Sequence, residues 1–115
     1  MLSNLNRFDE AEEEHREAIR INPEDAKAHN NLGVLLKNLE RYEEAGEEYR
    51  EAIRINPEYA KAHYNLGVLL GELKRYGEAE TEFGEVKRIN PEDTQAHINL
   101  GVLLVELKKI GRAHV

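Results

Sequence analysis

A single motif recurs along this chain with a period of 34 residues. The segment INPEDAKAHNNLGVLL returns as INPEYAKAHYNLGVLL and as INPEDTQAHINLGVLL, which places Pro23, Pro57 and Pro91 at equal intervals. A fixed period of this length is typical of proteins in which each unit packs only against its neighbours. We therefore predict one repeat domain covering all 115 residues. Its predicted divisions are a partial repeat at 1–25, complete repeats at 26–59 and 60–93, and a partial repeat at 94–115.

Each unit contains two stripes of apolar residues with helical spacing. Steps of three and four residues separate most members of both stripes, as an amphipathic helix requires. In the first complete unit the stripes are Ala28, Leu32, Leu35, Leu36 and Leu39, then Tyr42, Ala45, Tyr49, Ala52 and Ile53. The turn between the two helices is predicted near Glu40. Because Pro57 disfavours a helical residue before it, we expect the second helix to end near Asn56 and the proline to open the next helix.

Both ends of the chain fall inside a repeat. Met1 corresponds to Leu35, so the chain starts near the end of a first helix and then supplies a second helix at about Arg7 to Ile21. Thr94 to Leu107 is predicted to form a first helix, and KKIGRAHV to reach only the opening of its partner. With A for the first helix of a unit and B for the second, the expected order is six main helices in the frame B-AB-AB-A.

This pattern resembles the tetratricopeptide repeat family. The matching positions are Leu32, Gly33, Leu36, Tyr42, Ala45, Tyr49, Ala52 and Pro57, and again Leu66, Gly67, Leu70, Tyr76, Ala79, Phe83, Val86 and Pro91. The resemblance implies an all-α fold, an α-solenoid in which antiparallel helix pairs stack into a right-handed superhelix. It also implies a protein-interaction scaffold rather than an enzyme.

The chain departs from the family pattern at two positions of the unit. The family's usual aromatic residue in the first turn of the first helix is replaced by His29, His63 and His97. Its usual glycine between the two helices is replaced by Asn6, Glu40, Lys74 and Lys108. The second departure predicts a looser turn or a longer first helix.

Composition and charge exclude several classes of function. Acidic residues number 23 and basic residues 16, and the net charge of −7 argues against nucleic-acid and anionic-membrane partners, which bind surfaces rich in Lys and Arg. The lack of cysteine excludes disulfides and thiolate chemistry. Ser3 is the only serine and no phosphate-binding glycine loop is present, so we predict no enzyme and no cofactor. The longest apolar stretch, around residues 98–105, is too short for a membrane helix, and we expect a soluble cytoplasmic protein.

The resemblance implies that the first helices line a concave groove for a peptide or partner segment. Asn31, Asn65 and Asn99 resemble the asparagine ladder of some family members, whose amides can pair with the backbone of an extended peptide. The other residues predicted to line this groove are Val34, Val68, Val102, Tyr64, Ile98, Lys27 and Lys61. The alternative is a solvated face with isolated valines and no ligand.

Two further kinds of site are not expected. Family members that bind the acidic C-terminal tails of chaperones use Lys, Asn and Arg at fixed positions, of which only Asn65 is present, so we predict no binding of such a tail. His29, His63 and His97 recur once per unit, roughly 10 Å apart if neighbouring helices pack normally. This separation is too large for one metal ion, and we interpret the histidines as packing residues.

The second candidate function is self-association through the terminal helices. Phe8, Ala11 and Ala18 on the N-terminal helix, and Leu100, Leu103, Leu104 and Leu107 on the C-terminal helix, form apolar faces without partners in the repeat pattern. Docking of one face on the other, from a second chain, would complete the missing repeat and produce a homo-oligomer. The alternative is that the chain is a fragment of a longer array.

Overall fold

The computed structural model describes the backbone of residues 4–113 and the side chains of residues 7–111. In this part of the chain all regular structure is α-helical. The helices are α1 (Asn4–Ile21), α2 (Ala26–Asn38), α3 (Tyr42–Ile55), α4 (Ala60–Glu72), α5 (Tyr76–Ile89) and α6 (Thr94–Ala113). Six helices in the order B-AB-AB-A were expected, and this prediction is confirmed. None of the described helices is long and apolar enough to cross a membrane.

The helices form two compact units, one ending at Tyr59 and the other beginning at Ala60. In the first unit α2 packs against α3 and α1, and in the second unit α5 packs against α4 and α6. The apolar stripes seen in the sequence supply both cores. Their buried members include Leu32, Leu36, Ala45, Tyr49 and Ala52 in the first unit, and Leu66, Leu70, Ala79, Phe83 and Val86 in the second.

The proline segment forms a turn before the helix rather than its first turn. In the first unit the Asp25 N–H donates to the Asn22 carbonyl at 3.3 Å, which closes a turn around Pro23. The Asp25 carboxylate then accepts hydrogen bonds from the backbone N–H groups of Lys27 and Ala28, at 3.0 and 3.3 Å. Because this N-cap satisfies the first free N–H groups, α2 begins at Ala26. The prediction that the proline opens the helix is therefore wrong by three residues.

The turn between paired helices keeps a left-handed residue although no glycine occupies it. Glu40 has a φ of 61° and Lys74 a φ of 64°. In the first unit the Arg41 N–H donates to the Leu36 carbonyl at 2.9 Å, and in the second unit the Arg75 N–H donates to the Leu70 carbonyl at 2.8 Å. These bonds have the pattern of a Schellman C-cap, for which glycine is the usual residue. The expectation of a looser turn is wrong, because the capping bonds hold the turn closed.

Replacing Glu40 or Lys74 with glycine is expected to stabilise the protein. A left-handed conformation costs a residue with a side chain about 1–2 kcal/mol, whereas glycine adopts it freely. The greater conformational entropy of glycine in the unfolded chain offsets part of this difference. We expect each substitution to raise the free energy of unfolding, measured in urea, by about 0.5–1 kcal/mol. Glu47→Gly, at an exposed position in the middle of α3, is the control and should lose about 1 kcal/mol. Destabilisation by Glu40→Gly would contradict this account of the turn.

Helix α6 does not turn at Lys108. It runs without interruption from Thr94 to Ala113, whereas the sequence predicted a first helix ending at Leu107 and the opening of a partner helix beyond it. At Glu40 and Lys74 the packing of a following helix offsets the cost of the left-handed residue. Continuing the helix through Lys108 avoids that cost, which explains why this prediction is wrong.

Candidate functional site

Two of the three repeated histidines are buried against a glutamate of the following helix. In the first unit His29 Nδ1 lies 2.7 Å from Glu48 Oε1. In the second unit His63 Nδ1 lies 2.8 Å from Glu82 Oε1. His97 is exposed, and its Nε2 lies 2.8 Å from the Pro91 carbonyl. The histidines were interpreted from the sequence as packing residues, but their carboxylate partners were not predicted. In both units the partner lies 19 residues after the histidine.

The geometry around His29 favours the charged imidazolium. Nδ1 faces the Glu48 carboxylate and Nε2 lies 2.9 Å from the Pro23 carbonyl, so both ring nitrogens face acceptors. Burial lowers the pKa of His29, but the hydrogen bonds to Glu48 and Pro23 outweigh it and the pKa lies above its usual value. Within the described side chains, no three His, Asp or Glu residues are grouped so that they could hold a metal ion.

Stability should fall as the pH rises through the titration of His29. Its pKa is raised in the folded state, so its contribution is complete below about pH 6.5, the value in an unfolded chain, and is lost as the pH passes the folded pKa. We expect melting temperatures measured from pH 6 to pH 8.5 to decline more steeply in the wild type than in His29→Gln. Equal declines of the melting temperature in the two proteins would contradict a stabilising role of charged His29.

The first unit presents three of the predicted groove residues on one face of α2. Lys27, Asn31 and Val34 follow one another at helical spacing, and all three are exposed. Lys27 borders a polar depression formed with residues that precede α2 and with the end of α3. The structure therefore places Lys27, Asn31 and Val34 on the predicted face of α2.

The second unit gathers three predicted residues in one cavity. Val68 of α4 and Asn99 and Val102 of α6 line a cavity of about 330 Å³ between α4, α5 and α6, which we call the α4–α6 cleft. Ligand pockets usually have volumes of roughly 300–1,000 Å³. The remaining lining residues are Gly67, Gly71, Glu72, Tyr76, Phe83, Leu103 and Glu106.

Asn99 is held in place by an aromatic pair. Its Nδ2 donates a hydrogen bond to the hydroxyl of Tyr64 at 3.2 Å. The Tyr64 ring packs edge-on against Phe83, with ring centroids 5.6 Å apart and an interplanar angle of 73°. Tyr64 thus links the buried core of the second unit to the amide that lines the α4–α6 cleft.

The other predicted residues of the second unit lie outside this cleft. Lys61, Tyr64 and Asn65 line a separate, more polar depression together with Asn90, Asp93 and Gln95. Ile98 is exposed and lines neither depression. The residues predicted to line one groove in the second unit therefore lie on two neighbouring surfaces.

Several lining residues of the α4–α6 cleft were missed as site residues. Tyr76 and Phe83 follow the apolar pattern of the repeat, and Leu103 was assigned to a terminal face. Their contribution to this cleft depends on how three helices meet. Gly71 departs from the repeat, because it lies in the last turn of α4 at a position where the neighbouring repeats carry Lys37 and Val105. This departure is the sequence signal that could have pointed to the cleft.

The faces predicted for self-association are exposed only in part. On α1, Phe8 and Ala11 are half-buried and Ala18 is exposed. On α6, Leu100 and Leu107 are half-buried, whereas Leu104 is 53% exposed. Leu103 is buried and faces the α4–α6 cleft, so its assignment to an exposed terminal face is wrong. The helical period turns Leu103 toward α5 and Leu104 away from it.

Comparison with known protein families covers most of the chain. A family model described as "TPR repeat" matches residues 3–40 and 38–74, and a model described as "Tetratricopeptide repeat" matches residues 60–93. The models overlap and are continuous in sequence from residue 3 to residue 93. No curated protein sequence matches the chain.

Solved structures show the same fold. The chain is similar to the first TPR of Spaghetti (RPAP3) bound to the HSP90 peptide SRMEEVD, with 20% identity, a TM-score of 0.85, and coverage of 91% of this chain and 83% of that chain. The Arabidopsis OM64 TPR domain matches with 22% identity, a TM-score of 0.80, and coverage of 97% and 86%. YrrB, described as a TPR protein with an unusual peptide-binding site, matches with 30% identity, a TM-score of 0.77, and coverage of 82% and 48%.

These similarities confirm the predicted all-α fold class, an α-solenoid of antiparallel helix pairs. The family models match about four fifths of the residues, including both complete units. The chain therefore belongs to the tetratricopeptide repeat family.

Proposed function

We propose that this chain is a non-enzymatic interaction module that binds a peptide segment of a partner protein in the α4–α6 cleft. The observation that carries the proposal is the meeting of Val68, Asn99 and Val102 in one cavity of ligand-binding size. Two of the similar proteins are described by their peptides or peptide-binding sites, Spaghetti with an HSP90 peptide and YrrB with an unusual site. Both descriptions support a peptide as the class of ligand.

The chemistry of the cleft suits an extended peptide with an apolar side chain. Val68 and Val102 supply apolar walls, and burying an apolar side chain between them removes its surface from water. The Asn99 side chain offers donor and acceptor atoms, as amides that pair with a peptide backbone must. Because Tyr64 already orients this amide, little side-chain entropy is lost when a peptide binds.

A pair of exposed valines on α6 provides the test. Val102 lines the cleft and is 57% exposed, whereas Val105 is 54% exposed and lies outside it. Peptides should first be selected from a displayed random library against the whole chain, and their affinities then measured by fluorescence polarisation. We expect Val102→Ser to weaken the selected peptides at least tenfold and Val105→Ser to leave them unchanged. No enrichment, or equal effects of both substitutions, would refute the proposal.

The ladder residues extend this test. Asn65→Ala and Asn99→Ala should weaken peptide binding without lowering helicity, because alanine is a better helix former than asparagine. Asn65 lines the polar depression and Asn99 the α4–α6 cleft, so comparing the two locates the peptide. Equal affinity in both variants and the wild type would show that the ladder amides take no part in binding. We continue to predict no binding of acidic chaperone tails.

Self-association is the second candidate function, and the exposure of Leu104 favours it. Its counterparts Leu36 and Leu70 are 0% and 2% exposed, whereas Leu104 is 53% exposed. Gly101 faces open space, whereas its counterparts Gly33 and Gly67 face the rings of Tyr49 and Phe83. A second helix of the repeat type, such as α1 of another chain, fits this surface.

In this second proposal, α6 of one chain docks on α1 of another. The contact would bury Leu100, Leu104 and Leu107 against Phe8, Ala11 and Ala18. Sedimentation over a wide range of concentrations should show larger species that Leu104→Asp abolishes, with Val105→Asp as a matched control. A strict monomer at high concentration would rule the contact out.

A further inference from the structure

We infer that the α4–α6 cleft selects a peptide in which an apolar side chain stands next to a lysine or arginine. This inference rests on the proposed function and specifies its ligand. It follows from three features of the described side chains: the apolar floor of the cleft, the space beside Gly71, and the charge of its lining.

The floor of the cleft is apolar and rigid. Phe83 and Leu103 are buried there, and Gly67 lies against the Phe83 ring so closely that an added Cβ would meet ring atoms at 3.0 Å. Tight packing of this kind fixes the shape of the floor. A ligand side chain with hydrogen-bonding groups at its tip would find no partners on it, whereas an aliphatic or aromatic tip would be accommodated.

Gly71 keeps the cleft open. An added Cβ at this position would have one neighbour within 4 Å, Leu103 Cδ2 at 3.7 Å, which is an ordinary contact. Alanine would therefore fit at this position in the last turn of α4. The glycine is not needed for packing inside the second unit, and the methyl-sized space it leaves belongs to the cleft. This space is suited to a ligand side chain.

The charged residues that line the cleft are both acidic. Glu72 comes from α4 and Glu106 from α6, so carboxylates approach the cleft from two helices, and no lysine or arginine is among its lining residues. The Glu106 carboxylate also contacts the surface residue Lys109 at 3.3 Å. Two carboxylates attract a cationic side chain and repel an acidic one, the more so beside an apolar surface that excludes water. An acidic peptide is therefore disfavoured in this cleft.

The selectivity can be measured with four short peptides on the whole chain. We specify N-acetylated, C-amidated Ser-Gly-Leu-Lys-Gly-Ser and its matched versions with Leu-Gln, Leu-Glu and Ser-Lys at the centre, each with the same fluorescent label. We expect the Leu-Lys peptide to bind at least about tenfold more tightly than the Leu-Glu and Ser-Lys peptides in low salt. The advantage over Leu-Gln should shrink as salt is added.

Substitutions on both sides of the cleft complete the experiment. Glu72→Gln combined with Glu106→Gln should bring Leu-Lys and Leu-Gln to equal affinity. Gly71→Leu should reduce Leu-Lys binding at least tenfold without lowering the melting temperature, and Gly71→Ala is the smaller variant to use if leucine does not fit. Gly84→Leu is the matched control, because Gly84 lies on α5 with open space around it and its substitution should leave binding unchanged.

The outcomes separate this inference from the proposed function. If the Leu-Glu peptide binds as tightly as the Leu-Lys peptide and Val102→Ser weakens both, the inferred preference for a basic residue is wrong. The proposal that the cleft binds peptides then stands. If Gly71→Leu folds and binds as the wild type does, the space beside Gly71 is not used and the inference is overturned. If Val102→Ser affects none of the four peptides, both the inference and the proposed function fail.

Discussion

The Phe83→Ala variant is expected to lose about 3–5 kcal/mol of unfolding free energy, the usual cost of removing a fully buried aromatic ring. Phe83 is buried in the second unit, faces Gly67, and packs edge-on against Tyr64. Its removal leaves a cavity that α4 and α5 could fill only by moving closer together. Urea unfolding followed by circular dichroism measures the loss.

Leu73→Ala is the control for this prediction. Leu73 is also a large apolar residue of the second unit, but it is exposed just beyond the end of α4. Its substitution should cost less than about 1 kcal/mol, because little buried surface is lost. If Phe83→Ala and Leu73→Ala have similar small effects, the assignment of Phe83 to the core is wrong.

The second large effect is expected for Gly33→Ala, which should destabilise the protein by about 1–3 kcal/mol despite the better helix propensity of alanine. The added Cβ would lie 2.6 Å from Tyr49 Cε1, 2.7 Å from Tyr49 Cδ1 and 3.3 Å from the Ala45 carbonyl. Tyr49 is fully buried, so its ring cannot move aside without displacing the core of the first unit. Thermal and urea unfolding of the variant test this expectation.

Gly84→Ala is the matched substitution in the second unit. A Cβ there meets nothing within 4 Å, so the change should stabilise α5 by up to about 1 kcal/mol. Gly33→Ala is thus expected to lower the free energy of unfolding and Gly84→Ala to raise it. Stabilisation by Gly33→Ala would mean that α2 and α3 do not approach each other closely at this position.

The fold could be predicted from the sequence because the period of 34 residues repeats both the apolar stripes and the small residues. The stripe through Leu32 and Leu36, and the one through Ala45 and Tyr49, became the core of the first unit. Equivalent positions of each repeat have the same role in packing, so each copy of the motif supports the same prediction. Periodicity therefore indicated the helices, their order and the buried faces.

Local helix boundaries were harder to predict because competing backbone preferences decide them. The preference of proline for a first helical turn is outweighed by the Asp25 N-cap, which starts α2 after the proline turn. The left-handed conformation of Glu40 and Lys74 is imposed by the packing of the paired helices, against the preference of both residues. The turn conformations depend on contacts between helices, and these contacts cannot be predicted from the local sequence.

The candidate site was only partly accessible from the sequence for the same reason. Val68, Asn99 and Val102 could be placed on one face because they follow the repeat. The floor formed by Phe83 and Leu103 was not predicted, because Phe83 follows the pattern of a core residue and Leu103 was assigned to a terminal face. Gly71, which departs from the repeat where neighbouring repeats carry Lys37 and Val105, also lines the cleft and was not predicted as a site residue.

The central claim, that a peptide occupies the α4–α6 cleft, is tested most directly by backbone amide chemical shifts of the whole chain during titration with the Ser-Gly-Leu-Lys-Gly-Ser peptide. The account predicts shifts that saturate and are largest at Val68, Gly71, Asn99 and Val102, and that Val102→Ser suppresses. Shifts centred instead on Leu104 and the apolar face of α1, or no saturating shifts at any peptide concentration, would contradict it.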